Sequence, residues 1–154
     1  MPAAARASNT DAEALTDVVN RLRRVLRAGI RIDYPWETLP MAQIELLQCL
    51  RDHEPAGIRV GEICTRLHLA PATTSGLVQQ LVEAGTARRQ PDPADRRASV
   101  VRLTTAGRRQ LQDWQQAHER RLGNALSQLS VSQRAAVRAA VPALAALVDK
   151  LSRS

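Results

Sequence analysis

Phenylalanine is absent from this 154-residue chain, and its other aromatics are one tyrosine and two tryptophans. Tyr34, Trp36 and Trp114, with Met41, are therefore the only bulky side chains available to hold an aromatic ligand, a role that amphipathic rings share with plain core or interface packing. Lysine is almost missing too: apart from Lys150, every one of the 22 basic residues is arginine. The two cysteines, Cys49 and Cys64, are too few for the disulfide framework of a small secreted domain, and neither belongs to a C-x-x-C pair. The opening MPAAARASNT lacks the apolar stretch of a signal peptide, and no apolar run reads as long enough to span a bilayer. The expectation is a cytoplasmic protein, off the membrane, with a loose tail over residues 1–10. No Ser/His/Asp set or pair of convergent carboxylates stands out, which argues against an enzyme, and no cofactor is expected.

What is present is positive charge in one place. The net charge is +7, and the segment from Thr86 to Arg109 holds seven arginines against only Asp92 and Asp95. A uniform composition bias would spread that excess along the chain. Guanidinium forks match phosphate oxygens two at a time, so a segment this basic suits a phosphate-rich partner.

Apolar positions Leu15, Val18, Val19, Leu22, Val25, Leu26 and Ile30 recur at steps of three and four, predicting a first helix that ends near GIRIDYPW. LPMAQIELLQCLRDH continues the period with Met41, Ile44, Leu47 and Leu50 or Cys49 inward, and EPAG closes it. RVGEICTRLHL makes one or two turns with Val60, Ile63 and Leu67 inward. APATTSGLVQQLVEAG follows, with Pro71 at the first helical position and Gly85 as the stop. Two short helices three or four residues apart form a helix-turn-helix. In the second of them Leu77, Val78, Leu81 and Val82 make the buried stripe, leaving Thr73, Thr74, Gly76, Gln79, Gln80 and Glu83 outward. TARRQ and ASVVRLT read as two strands around PDPAD, a hairpin. From Thr104 a long helix carries Leu111, Trp114, Leu122 and Leu129 on one side. Ser130 and Gln133 then form a capping box for a last helix that Pro142 should kink.

A polar helix backed by a support helix fits the DNA major groove, about 12 Å wide, and reads base edges from its exposed side. Thr73, Thr74, Ser75, Gln79 and Gln80 are the candidate readers here: glutamine pairs with adenine, and threonine bonds phosphate or touches a thymine methyl. An arginine at a hairpin tip has little structural use but suits a narrow minor groove, which singles out Arg96 and Arg97. Asp95 stands where it can hold Arg97 extended through a charge-assisted bond.

In its order of elements and in DPADRRASVVRLTTAGR, the chain closely resembles the multiple-antibiotic-resistance-regulator (MarR) family of winged-helix transcription factors, over nearly its whole length. The resemblance implies a mainly α fold with a small β-hairpin wing. A winged helix-turn-helix lobe would occupy residues 40–103 and a helical dimerisation lobe residues 11–39 and 104–154, in one domain over 11–154. It also implies a homodimer on a pseudo-palindromic operator in double-stranded DNA, with recognition helices in successive major grooves and the wing arginine in the minor groove. Relatives commonly release DNA on binding a small aromatic ligand, and the lack of an obvious activation segment favours a repressor. Two positions depart from the family pattern: Ala70 stands where a serine or threonine cap is usual, and Gly76 where many relatives carry arginine.

Some relatives sense oxidants through a thiol. Cys49 falls on the apolar side of the second helix and Cys64 beside Ile63, so both are expected buried and inert, and an oxidant-sensing repressor is the alternative that would use them. Cys49 with His53 and Cys64 with His68 each show C-x-x-x-H spacing, which puts both members on one helix face but recurs readily by chance, so no metal site is expected. The other alternative is a winged-helix module whose basic wing binds an acidic partner protein.

Overall fold

The computed structural model describes residues 2–33, 40–95 and 97–152. The chain forms two compact units, Met1–Gln116 and Ala117–Ser154, and the boundary falls inside a long helix.

The first unit opens with α1 (Pro2–Asp33), which starts well ahead of the apolar period. The ten residues expected as a loose tail are helical from Pro2 onward: proline suits a first turn, and Ala3, Ala4, Ala5 and Ala7 have the strongest helix propensity of any residue. Then come α2 (Met41–Arg51), β1 (Ile58–Arg59), α3 (Val60–Leu67), α4 (Pro71–Glu83), β2 (Ala87–Pro91), β3 (Ser99–Leu103) and the start of α5 (Thr105–Ser127). The core they share is aliphatic: Leu46, Leu47 and Leu50 of α2 meet Ile58, Ile63, Val78, Leu81, Val101 and Leu103, all within 1% of complete burial, and Leu111 of α5 joins them.

The sheet has three antiparallel strands in the order β1-β3-β2, one more than the expected hairpin. β1 is two residues long, pairing Ile58 with Val101 and Arg59 with Val100, too short for any period to reveal. β2 and β3 pair from Ala87 opposite Leu103 to Pro91 opposite Ser99, as the alternating run implied.

Joints between elements are closed by specific groups. His68, in the left-handed region at φ 51°, turns the chain from α3 toward α4. α4 stops at Gly85, whose φ of +72° few other residues tolerate: the Gly85 N–H donates to the Val82 carbonyl (3.0 Å) and the Thr86 N–H to that of Leu81 (2.9 Å), a Schellman closure. Thr104 then caps α5, its hydroxyl accepting from the Gly107 N–H at 3.1 Å and donating to the Gly85 carbonyl at 2.6 Å. Gly107 lies so close to the Thr86 carbonyl that a Cβ there would overlap it.

In the second unit the remainder of α5 is followed by α6 (Val131–Leu151). The expected capping box is present: Ser130 Oγ accepts from the Gln133 N–H at 3.2 Å, and Gln133 Oε1 from the Ser130 N–H at 3.1 Å. α6 is continuous through Pro142 and buries none of its residues. It also corrects one expectation, because an 18-residue stretch within its 21 residues reaches a mean hydropathy of 1.2 and the helix is long and apolar enough, by length and composition alone, to cross a membrane. Alanines fill most of the gaps between Val137, Val141, Leu144 and Leu147, with Arg138 the one charged residue among them.

Candidate nucleic-acid interface

α4 packs on α2, α3 and β2 through Val78 and Leu81, with Leu77 and Val82 half-buried beside them. Thr73, Ser75, Gln79 and Gln80 are exposed, as expected. Thr74 is not: it is completely buried, and its hydroxyl donates to the Ala70 carbonyl at 3.2 Å. Four and seven residues before Val78 and Leu81, it belongs to their stripe, and bonding back to its own helix lets threonine pass as an apolar residue. It cannot touch a base. The two glutamine amides are each held at one end. Gln79 Nε2 donates to Glu83 Oε1 and Gln43 Nε2 donates to Gln80 Oε1, both at 2.9 Å. Ala70 offers no side-chain cap, so the first turn of α4 relies on Pro71 for its start.

The wing between β2 and β3 is built by two aspartates. The Ala94 N–H donates to Asp92 Oδ1 (2.9 Å), and the Arg97 N–H to Asp95 Oδ1 (3.0 Å). Around these side-chain turns the Asp92 N–H donates to the Ala98 carbonyl (3.0 Å) and the Ala98 N–H to that of Asp95 (2.9 Å). Asp95 therefore orients the Arg97 backbone, where a bond to its guanidinium was expected; a short aspartate two residues upstream reaches the nearer amide. Arg97 is exposed, and Arg96 lies outside the described residues. Asp92, which the sequence reading left without a role, is the buried member. Its Oδ2 accepts from Arg59 Nε at 2.7 Å and Nη2 at 2.5 Å. The Ala94 N–H, then the Arg59 fork, hold its carboxyl below the usual carboxylate range.

Below the tip, Arg88 and Arg89 are exposed on β2, and Arg88 stands directly opposite Arg102 of β3. Like charges so placed repel, and Arg102 is drawn aside by donating from Nε to the Ala56 carbonyl at 3.1 Å. A helix-turn-helix with a polar outer face thus shares one sheet with an arginine-edged hairpin.

The family model described as the MarR family matches residues 39–99, the span from the residue before α2's cap to the start of β3. The crystal structure of the RV1404 protein of Mycobacterium tuberculosis overlays this chain with a TM-score of 0.73 at 25% identity, covering 86% of this chain and 91% of that one. Over residues 39–99 the chain carries the MarR-family pattern. An HTH-type transcriptional regulator of Mycobacterium tuberculosis is 24% identical over 142 residues, 92% of this chain and 97% of that protein. An S. aureus MepR variant bound to an oligodeoxyribonucleotide shares the fold, with a TM-score of 0.66 at 18% identity over 87% of this chain and 97% of that one.

The remaining candidates are placed less favourably. Met41 and Trp114 pack against the aliphatic core, while Tyr34 and Trp36 lie outside the described residues. Cys49 is buried and Cys64 half-buried, where both were expected inside. Burial pushes the Cys49 thiol above its ordinary value, opposed by nearby Arg66 and assisted by Asp52, so at neutral pH it is a thiol and a poor nucleophile. Among the described residues no group of three or more His, Cys, Asp or Glu side chains gathers to hold a metal ion. His53 turns Nδ1 onto the Cys49 carbonyl at 2.7 Å, and His68 is exposed in the turn. A cavity of about 170 Å³ near the start of α5 is lined by Arg51, Glu54, Arg108, Gln112 and Gln115 over Leu103 and Leu111, with Arg108 paired to Glu54 at 2.6 Å.

Proposed function

We propose that this chain is a transcriptional regulator that reads a pseudo-palindromic site in double-stranded DNA as a homodimer, and that it represses until a small-molecule effector releases it. The observation that carries the reading is the conjunction of an exposed polar face on α4 with a wing whose tip is folded in advance around Asp92 and Asp95. Thr73, Ser75, Gln79 and Gln80 then meet base edges and phosphates in the major groove, with Thr74 shaping the helix from inside. Arg97, with Arg96, enters the minor groove, where narrowing deepens the negative potential. Arg88 and Arg89 supply phosphate contacts, and a phosphate near Arg88 and Arg102 relieves their repulsion.

Two unpartnered apolar faces support the dimer. α1 exposes Val18, Val19, Leu22 and Val25, and α6 exposes Val141, Leu144, Leu147 and Leu151 at helical spacing. Stripes of that size on a soluble chain mark an association surface. The cavity at Arg51 and Arg108, whose guanidinium groups are paired with Asp52 and Glu54 above an apolar floor, suits a small effector with an apolar body. The buried Cys49 thiol argues against control by oxidation. A cytoplasmic location goes with this role.

Random-site selection from a duplex pool, followed by fluorescence anisotropy at fixed salt, tests the reading. The selected duplex should bind at least about a thousandfold more tightly than a scrambled one. Arg97→Ala should weaken that binding and lower the slope of log affinity against log salt by about 1. Equal, weak, salt-sensitive binding of both duplexes would sink DNA reading and leave the basic wing to an acidic protein partner.

A further inference from the structure

The bridge between Arg59 and Asp92 ties the entrance of the helix-turn-helix directly to the root of the wing. Arg59 ends β1 and immediately precedes α3, at the entrance to the helix-turn-helix; Asp92 immediately follows β2, at the root of the wing. In the sheet order β1-β3-β2 these are opposite edges, about two strand spacings or 10 Å apart, so the arginine side chain crosses over β3 to reach the carboxylate. β1 itself pairs only with β3, through two residues. The wing root and the start of α3 are otherwise connected indirectly, through β3 and through α4, which packs on both β2 and α3.

Every polar group of Asp92 is committed. Oδ2 takes the Arg59 fork, Oδ1 takes the Ala94 N–H, its N–H donates to Ala98, and its carbonyl accepts from the Asp95 N–H at 3.2 Å. Arg59 is fixed at its other end as well, its N–H donating to Glu62 Oε2 at 3.0 Å in the first turn of α3. The carboxylate is 11% exposed and the guanidinium 45%. A half-exposed arginine adds little to global stability, since solvent screens it, yet a two-bond fork is directional and sets a distance and an angle.

We propose that Arg59 and Asp92 are a positioning pair for DNA reading: the fork locks the wing root to the start of α3, so that the wing arginines and the recognition helix are presented to the duplex at one fixed spacing. The pair acts through Arg97 and α4 and does not itself touch DNA. This rests on the DNA-reading function proposed above. In that setting a wing free to pivot still meets phosphates but loses its register with the bases, so specificity falls before general affinity does.

The test uses the full chain and has an arm without DNA. In amide hydrogen exchange, Arg59→Gln should speed exchange at Ala94, Arg97 and Ala98 by about tenfold or more while Leu46 and Leu47 keep their protection. Unchanged wing exchange would overturn the pair outright. In the DNA arm, Arg59→Gln and Asp92→Asn should each weaken binding of the selected duplex about tenfold, leave the scrambled duplex within about twofold, and cost no more together than singly. The salt slope should stay at its wild-type value in Arg59→Gln. A slope lower by about 1, or equal loss on both duplexes, would make Arg59 a phosphate contact and not a positioning residue. Arg59→Lys, which keeps the charge but not the fork, should recover only part of the affinity. Should Asp92→Asn fail to fold, the arginine variants decide alone. A wild-type protein that enriches no sequence refutes the DNA reading, while the exchange arm still decides the lock.

Discussion

Residues 41–111 and helix α6 draw on the same aliphatic side chains and put them to opposite use. In the first region Leu46, Leu47 and Leu50 are fully covered by α3, α4 and the sheet. In α6 the equivalent residues, Val141, Leu144, Leu147 and Leu151, are 39–68% exposed. The winged lobe closes on itself; α6 leaves its apolar residues uncovered. α1 shares that condition with Val18, Leu22 and Val25. Substitution of the same chemistry should therefore produce different kinds of damage in the two regions: loss of fold in one, loss of association in the other.

The largest expected effect is Leu47→Ala. Removing most of a fully buried side chain should cost about 2–5 kcal/mol, read as a lower urea midpoint by circular dichroism. A loss below about 1 kcal/mol would mean the lobe is less closed than its burial indicates. Next, Leu144→Asp should leave that midpoint at low protein concentration nearly unchanged but weaken the dimer on the order of 100-fold, measured by sedimentation equilibrium. A dimer as tight as wild type would remove α6 from the interface.

Acid should separate the regions more gently. Asp92 titrates below the usual carboxylate range when folded, while in the unfolded chain it takes its proton near the ordinary value of about 4. Its contribution is therefore complete above about pH 4 and disappears as pH falls through the lower folded value. The charged groups around it are Arg59, then Asp95 and Glu62, which also act on Arg59. As pH falls below about 4 the wild type should lose stability more steeply than Asp92→Asn; parallel curves would show that the carboxylate is not the group responsible. The smallest effect belongs to Ala70→Ser, which supplies α4 with its missing cap and should raise lobe stability by about 1 kcal/mol without altering the dimer.

Much of this architecture was legible in the chain because it rests on local periods. The helix-turn-helix, the hairpin around PDPAD and the Ser130 capping box follow from neighbours within four residues of one another. What escaped lies at longer range or in a residue of double character. β1 is two residues whose partner lies more than forty positions away. Thr74 carries a hydroxyl, which reads as outward, and a methyl, which is what the core uses. The Arg59–Asp92 fork spans 33 positions, so attention fell on Asp95, the aspartate nearest the arginines. The only local hint was an arginine placed directly before a helix opening with Glu62, where a small cap is the rule. The Ala-rich start was underrated because tail position weighed more than propensity.

The absence of a side chain at Gly107 has a mechanical side. It lets the first turn of α5 sit flush on the Thr86 carbonyl, immediately past the Schellman closure of α4, while Thr104 bonds the Gly85 carbonyl beside it. The long helix and the recognition helix are thus mitred together with no cushion of side chains between them. Any side chain at position 107 would act as a wedge driven into that joint.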